Sequence, residues 1–388
     1  MPRTILHLDL DAFFCAVEEI HNPSLRGVAF AVGGSPDQRG VVASCSYAAR
    51  HKGVRSAMPM ARALRLCPEL IVVSHRHHFY GEVSEQVMAR LHKLSPLVEQ
   101  ISIDEAFVDI SDLPGSPENI AGRLQSQIRS ELSLPCSIGI ASNKLVAKIA
   151  TEVGKKSAVG NAPPCAITIV PPGRESEFLS PLPASMLWGV GPKTEARLAE
   201  LGIHTIGDIA AWPENDLAQR WGENGRDLHR RALGIDDRPI STEREAKSIS
   251  QETTFSRDVR DDHELEKTLR QLAEQVGYQL RENELAGRTI KLKLRWPDFT
   301  TLTRQTTLAS PTDNDGVISE AAIKLMKTVR RSNQYVRLIG VGVSGLGRPV
   351  RQLGLWDADA QKAQRLQSAV DELREKFGRR IIHHGDRP

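Results

Sequence analysis

The stretch Val98-Glu99-Gln100-Ile101-Ser102-Ile103-Asp104-Glu105-Ala106-Phe107-Val108-Asp109-Ile110 sets two apolar, β-prone runs on either side of an adjacent pair of carboxylates. The pattern predicts a hairpin with Asp104-Glu105 at its tip. Neighbouring side chains of a regular strand point to opposite faces, so two adjacent acids can serve one site only where the backbone turns. A second acidic strand end lies in Ile5-Leu6-His7-Leu8-Asp9-Leu10-Asp11. If the two strands pair, Asp9, Asp104 and Glu105 meet at one sheet edge. Crowded carboxylates repel and raise one another's pKa. A hard divalent cation removes the conflict, and Mg²⁺ takes a few carboxylates plus substrate phosphates. The expectation is a two-metal phosphoryl-transfer site. An Asp-Glu pair near a strand end is ordinarily a solvated turn, so the rest of the chain has to supply the context.

With 388 residues the chain is too long for one ordinary core, and two to four domains are expected. A hydrophobic fraction of 40% with 26% charged residues is that of a soluble globular protein. The net charge of +3 does not announce nucleic-acid binding, so a local patch would have to carry it. No apolar run approaches membrane-spanning length, and the N-terminus enters a strand without a long apolar signal region. Cys15, Cys45, Cys67, Cys136 and Cys165 are widely spaced and form no C-x-x-C pair. A cytoplasmic protein with reduced thiols is expected, without a zinc site or disulfide framework.

After the first strand, residues 11–18 begin a helical pattern that ends before Asn22-Pro23. The pair Phe13-Phe14 reads as core packing or as a wall of a substrate pocket. Turns at Gly33-Gly34-Ser35-Pro36 and Arg39-Gly40 separate two short strands. Next come Ser44, Tyr47 and Arg50, spaced by three, which a helix or tight turn would place on one face. Such a set can grip a triphosphate, or it can be an ordinary polar helix face. His75, His77 and His78, with no acid or cysteine nearby, read as a solvated segment rather than a metal site. Helical patterns over 81–94 and 118–132, a strand at 136–141, a helix capped by Ser142 and a strand at 166–170 complete the region. The expected fold is α+β: a sheet covered by helices on one face, with a segment of about 11–75 inserted.

Beyond Pro171-Pro172-Gly173, the run from Leu187 to Leu198 reads as helix, Gly189-Val190-Gly191 turn and helix. A helix-hairpin-helix of this kind lets backbone N–H groups hold a DNA phosphate without reading bases. A polar stretch at about 235–246 leads to a β-α-β-β-α-β unit: strand 248–255, helix 262–284, strands 287–296 and 300–308, helix 314–330, strand 334–343. In Ile290-Lys291-Leu292-Lys293-Leu294-Arg295-Trp296 every residue on one face is basic. Over 288–304, Arg288, Lys291, Lys293, Arg295 and Arg304 oppose only Asp298. That face suits a phosphate backbone, or it is a solvated face whose lysines protect an edge. The tail opens with Gln352-Leu353-Gly354-Leu355-Trp356, which suits a peptide docking in an apolar groove, and an amphipathic helix follows at about 358–376.

Five segments together resemble the Y-family, translesion DNA polymerases, close to the bacterial branch of that family. They are His7-Leu8-Asp9-Leu10-Asp11-Ala12-Phe13-Phe14, Ser46-Tyr47-Ala48-Ala49-Arg50, Gly53-Val54-Arg55-Ser56-Ala57-Met58-Pro59, Ser102-Ile103-Asp104-Glu105-Ala106-Phe107 and residues 139–150. The resemblance runs from residue 3 to about 377. It implies a right hand of palm (1–10 and 75–166), fingers (11–74) and thumb with the helix-hairpin-helix (167–234). A linker (235–246), a β-α-β-β-α-β little finger (247–348) and a tail (349–388) with a clamp-binding peptide follow. It implies that Asp9, Asp104, Glu105 and the Leu10 carbonyl hold two Mg²⁺. Phe14 matches the steric gate that excludes a ribose 2′-OH, and Ser44, Tyr47, Arg50 and Lys155 match the residues that bind the triphosphate. The family usually has Lys-Pro-Asn/Asp-Gly where this chain has Lys155-Lys156-Ser157-Ala158, so the turn there departs from the pattern. The implied partners are primer-template DNA, a dNTP and a sliding clamp bound through Gln352-Leu353-Gly354-Leu355-Trp356, with no membrane and a monomeric state.

The expected function is DNA-templated, low-fidelity DNA synthesis, with Ala43 and Ser44 leaving a roomy site and no segment available for a proofreading exonuclease. One rival is a non-catalytic DNA- and clamp-binding scaffold, which would not need Asp9, Asp104 and Glu105. The other is a nucleotidyl cyclase, which would need neither the helix-hairpin-helix nor the basic strand.

Overall fold

The structure, a computed structural model, describes residues 3–156, 160, 162–243, 245–331 and 333–349, with residues 369, 372, 373, 376 and 377 beyond them. The clamp-peptide segment 352–356, and nearly all of the helix expected after it, lie outside the described residues. The chain divides into two compact units, residues 1–244 and 245–388.

The first unit is built on a five-stranded sheet. Its centre is β1 (Ile5–Leu10), whose six residues are all buried. Helix α1 (Phe13–His21) follows directly. A three-stranded sheet comes next, made of β2 (Phe30–Gly33), β3 (Val42–Cys45) and β4 (Ile71–Val73), with α2 (Tyr47–His51) and α3 (Met60–Leu66) between the last two. Helix α4 (His77–Leu94) returns the chain to the main sheet. There β5 (Val98–Gln100) and β6 (Glu105–Asp109) form the expected antiparallel hairpin. Helix α5 (Pro117–Leu132), β7 (Cys136–Ala141), α6 (Lys144–Lys156) and β8 (Ile167–Ile169) complete it, in the order β5-β6-β1-β7-β8.

The sheet is covered on both faces, not on one as the pattern suggested. Leu6, Leu8 and Leu10 of β1 join a cluster with residues of α1, α4 and α5. Ile5 and Phe107 face a second cluster with α6 and the helices that follow. Burial on both sides explains why β1 and β7 read as continuous apolar runs rather than alternating ones. Helix α6 approaches unusually closely because Gly139 lies beneath it. A Cβ there would sit 2.1 Å from the Ala147 carbonyl oxygen and 2.6 Å from Thr151 Oγ1. The cap of α6 is Asn143 rather than Ser142: Asn143 Oδ1 accepts from the Val146 N–H at 3.0 Å, while Ser142 Oγ donates to Glu175.

Five short helices complete the unit: α7 (Glu175–Leu179), α8 (Pro192–Ala199), α9 (Ile206–Ala211), α10 (Glu214–Trp221) and α11 (Glu223–Ala232). In the expected helix-hairpin-helix the element before the glycines is a single 3₁₀ turn, Ala184–Met186. Gly189 takes a positive φ of 99° and Gly191 caps α8.

The second unit is the expected β-α-β-β-α-β fold. Strands β9 (Ser248–Val259), β10 (Ala286–Arg295), β11 (Thr301–Thr312) and β12 (Val336–Gly347) lie in the order β11-β10-β12-β9. Helices α12 (Asp262–Glu282) and α13 (Asp315–Val329) pack against one face through Ile290, Leu292, Leu294, Ile339, Val341 and Val343. Lys291, Lys293 and Arg295 alternate with that buried row and so belong to the opposite face.

Candidate active site

Two registers bring the acids together. Asp9 of β1 lies directly opposite Glu105 of β6. One step further, the Leu10 N–H donates to the Asp104 carbonyl oxygen at 3.0 Å, tying the hairpin tip to the end of β1. Asp104 is held from its own loop, its Oδ1 accepting from Ser102 Oγ at 2.6 Å. Asp9 and Asp104 then share a cleft of about 200 Å³ with Leu10, Phe14, Ala43, Ser44, Tyr47, Arg50 and Lys155. Every residue expected to hold a nucleotide lines that one cleft. Ser44 reaches it from strand β3 and Tyr47 and Arg50 from α2, so of the two arrangements the spacing allowed, the strand-to-helix turn and not a single helix face brings the three together. Ser46 caps α2 by accepting from the Ala49 N–H and fixes where Tyr47 and Arg50 emerge. Arg50 stacks over Tyr47, its guanidinium 5.2 Å from the ring centroid, and Nε donates to the Cys45 carbonyl at 3.1 Å.

The charges are resolved by one face of α6. Positions 144, 148, 151 and 155 recur at helical spacing. Lys144 pairs with Glu99 at 2.8 Å, Lys148 with Glu105 at 2.7 Å, and Lys155 with Asp9. Thr151 Oγ1 lies 2.8 Å from His7 Nδ1. Sequence reasoning missed Lys148 and Thr151, whose helical spacing from Lys144 and Lys155 was the available signal. It also missed Asp11, which is buried and accepts from Ser137 Oγ at 2.9 Å and from the Cys165 N–H at 3.1 Å. Asp11 Oδ1 lies 3.9 Å from Lys155 Nζ, so that lysine stands between two acids.

Titration follows this wiring. Burial drives the Asp9 pKa up; Lys155 opposes it, and the Glu105 and Asp104 charges push it further up. Burial also raises Glu105, but His7 and Lys148 outweigh it and the net displacement is downward. The His7 contact is 3.9 Å, too long for a hydrogen bond, so Lys148 is the partner that matters. Burial pulls His7 down from 6.5 to about 4, and its Nε2 has no hydrogen-bond partner.

The set fits hard cations. Asp9, Asp104, Glu105 and the Leu10 carbonyl offer only oxygen donors, and the mutual repulsion felt at Asp9 is what a divalent charge relieves. Among the described residues no three such side chains are already closed around a common point; lysine ammonium groups neutralise Asp9 and Glu105 instead. His75 and His77 stack on each other, with ring centroids 4.8 Å apart, and form no metal cluster either.

In the second unit the basic row is only partly free. Lys293 reaches Glu252 of β9 at 2.6 Å, a partner invisible in the local count of charges. It crosses the intervening β12 at Gly340, which lies opposite Lys293 and whose Cβ would sit 2.7 Å from that of Glu252. Arg295 Nε donates to Thr301 Oγ1, whereas Lys291, opposite Gly342, makes no ion pair among the described residues.

Family models match this arrangement along the chain. The impB/mucB/samB family covers residues 8–152, its HHH motif 172–203 and its C-terminal domain 246–355. The chain is 42% identical over 381 residues to a DNA polymerase IV of Desulfatibacillum aliphaticivorans, covering 96% of this chain and 94% of that one. It is 46% identical over 350 residues to a DNA polymerase IV of Streptomyces coelicolor, covering 88% and 71%. The solved structure of a Y-family DNA polymerase chimera superposes with a TM-score of 0.77 at 25% identity, covering 89% of this chain and 99% of that one. The chain belongs to the impB/mucB/samB family and is a DNA-directed DNA polymerase of the Y family, with the right-hand and little-finger fold that class defines.

Proposed function

We propose that the chain carries out low-fidelity translesion synthesis, adding dNTPs to a primer 3′-OH with release of pyrophosphate at the Asp9–Asp104–Glu105 edge. The observation that supports this most is the convergence of Asp9 and Asp104 with Phe14, Ser44, Tyr47, Arg50 and Lys155 in one cleft, with Glu105 paired directly opposite Asp9 at its border. Two Mg²⁺ held by Asp9, Asp104, Glu105 and the Leu10 carbonyl would activate the 3′-OH and neutralise charge on the triphosphate. Tyr47 and Arg50 orient the phosphates with a phenol and a planar fork of donors. Lys155, paired here with Asp9, supplies a further cation at the same point. Phe14, which lines the cleft, acts in this reading as the gate that excludes a ribose 2′-OH. Ala43 and Ser44 leave room around the nascent pair, which favours tolerance of damaged bases. Base pairing with the template selects the nucleotide, so the rest of the protein needs only to hold backbone.

In this reading the palm comprises 1–10 and 75–166, the fingers 11–74, the thumb 167–234 and the little finger 247–348, joined by the linker 235–246. The Gly189–Gly191 turn and the basic row Lys291, Lys293 and Arg295 grip phosphates. The segment Gln352–Trp356 binds a sliding clamp. No helix among the described residues is long and apolar enough to cross a membrane, and four of the five cysteines are buried as free thiols. Free thiols suit a reducing compartment such as the cytoplasm, where the chain acts as a monomer in this reading.

Primer extension opposite a template guanine carrying a bulky minor-groove adduct tests the translesion reading. The expected result is insertion opposite the adduct and extension beyond it, with frequent mismatches on undamaged template. Stalling at every adduct together with accurate copying would contradict it.

A further inference from the structure

Beside the cleft lies a buried carboxylate, paired with a partly exposed arginine, that the chemistry above does not use. Glu18 of α1 is only 1% exposed. Its Oε1 accepts from Tyr80 Oη at 2.7 Å and from Arg76 Nε at 3.1 Å, and its Oε2 accepts from Arg76 Nη2. Tyr80, fully buried on α4, stacks on Phe14 with centroids 4.5 Å apart and planes 17° from parallel. Phe14 and Glu18 are four residues apart on α1 and share a face. One tyrosine therefore bridges them, its ring on Phe14 and its hydroxyl on Glu18.

Burying a carboxylate costs desolvation that an apolar residue of the same size would not incur. What the carboxylate adds is direction. A hydroxyl bonded to a charged oxygen makes a short, strong hydrogen bond, and with Arg76 clamping the same carboxylate, Tyr80 cannot slide or turn in its plane. The other side of the stack is Phe14, which borders the cleft and is only partly buried. Its neighbour Phe13, with its ring centroid 5.7 Å away, supports it from the chain side. Exclusion of a hydroxyl by an aromatic edge depends on where that edge stands, and a shift well under an ångström is enough to admit an oxygen.

We propose that Glu18, clamped by Arg76 and acting through Tyr80, is a positioning residue for sugar discrimination: it fixes the plane of Phe14 against the incoming nucleotide. The proposal rests on the reading of Phe14 as the steric gate. Glu18 touches no substrate, and its effect is carried wholly by the aromatic stack.

The test measures kcat/KM for a dNTP and for the matching rNTP on undamaged primer-template DNA with Mg²⁺. Phe14→Val should lower the dNTP/rNTP ratio by about a hundredfold, which checks the gate by itself. Glu18→Gln and Tyr80→Phe should each lower it by about tenfold, carried by a rise in rNTP use. Adding Glu18→Gln to Phe14→Val should change the ratio no further, since the residue through which Glu18 acts is gone. If Phe14→Val lowers the ratio while folded Glu18→Gln and Tyr80→Phe keep it, or lose dNTP and rNTP use equally, Glu18 is structural only and the proposal is overturned. If Glu18→Gln does not fold by circular dichroism, Tyr80→Phe decides with the same two outcomes. If Phe14→Val leaves the ratio unchanged, the gate reading itself fails and this proposal fails with it.

Discussion

The acidic edge of the five-stranded sheet and the basic face of the four-stranded sheet handle charge in opposite ways. At the edge, Asp9 and Glu105 each meet a lysine of α6, and burial makes the ionisation of these two depend on their neighbours. On the basic face the side chains stand toward solvent, and among the described residues only Lys293 of the row is spoken for by a carboxylate. The edge therefore acts as one coupled unit, where losing one group disturbs all the others. The face acts as a sum of nearly independent contacts, each small and each screened by salt.

Glu105→Ala should break the unit most severely. It removes a proposed metal ligand and leaves Lys148 facing no partner, so primer extension should fall by about a thousandfold or more in kcat/KM, roughly 4 kcal/mol. A drop of only a few-fold in single-turnover extension would make the edge additive, like the face.

Next in size is the acid response of the same edge. Folded His7 titrates near 4 rather than 6.5 because it is buried. As pH falls from 6.5 toward 4, the unfolded chain takes up a proton that the folded chain does not. Stability therefore falls across that window, by about 3 kcal/mol from this residue, and is unaffected by it above pH 7. Urea unfolding from pH 7 to 4 without divalent cations, compared with His7→Asn, checks this. An identical pH slope in the variant would show that His7 is not held neutral.

Arg50→Ala should raise KM for the dNTP by about thirtyfold, near 2 kcal/mol, with DNA affinity little changed, because the lost fork binds phosphate directly. An effect on kcat alone would place Arg50 elsewhere in the mechanism.

The smallest effects belong to the basic face and are additive. Lys291→Ala should weaken DNA binding a few-fold and flatten the salt dependence by about 0.9 in slope. Lys293→Ala should do less, since Glu252 already engages that charge. Fluorescence anisotropy across a salt series distinguishes the two, and equal slopes would mean that Glu252 releases Lys293 when DNA binds.

The face was the more legible half from sequence, because its information is local. Alternation of Ile290, Leu292 and Leu294 with Lys291, Lys293 and Arg295 states which side is buried, and helix and strand periods mark the remaining elements. Only Glu252, more than forty residues away on β9, escaped. The acidic edge was half legible. The hairpin tip and the pairing of β1 with it follow from patterns around Asp104-Glu105 and Asp9. The lysine face of α6 does not, because its meaning depends on Gly139 admitting the helix close to β1. Coverage of both sheet faces was missed because the helices after residue 171 read as a separate segment rather than as a second layer. For Ser44, Tyr47 and Arg50 a helix and a tight turn stayed open, because spacing by three carries no record of where a strand ends. Glu18 drew no reading from the sequence, since nothing near it there shows that Arg76 and Tyr80 enclose it.

The most direct measurement is extension of a primed template with Mg²⁺ and dNTPs by the wild-type chain and by Asp104→Ala, with binding of the same DNA followed in parallel. Extension by the wild type, loss of extension in the variant and unchanged DNA binding in both would match the account. Equal extension by both chains would contradict the assignment of the carboxylate edge as the site of nucleotidyl transfer.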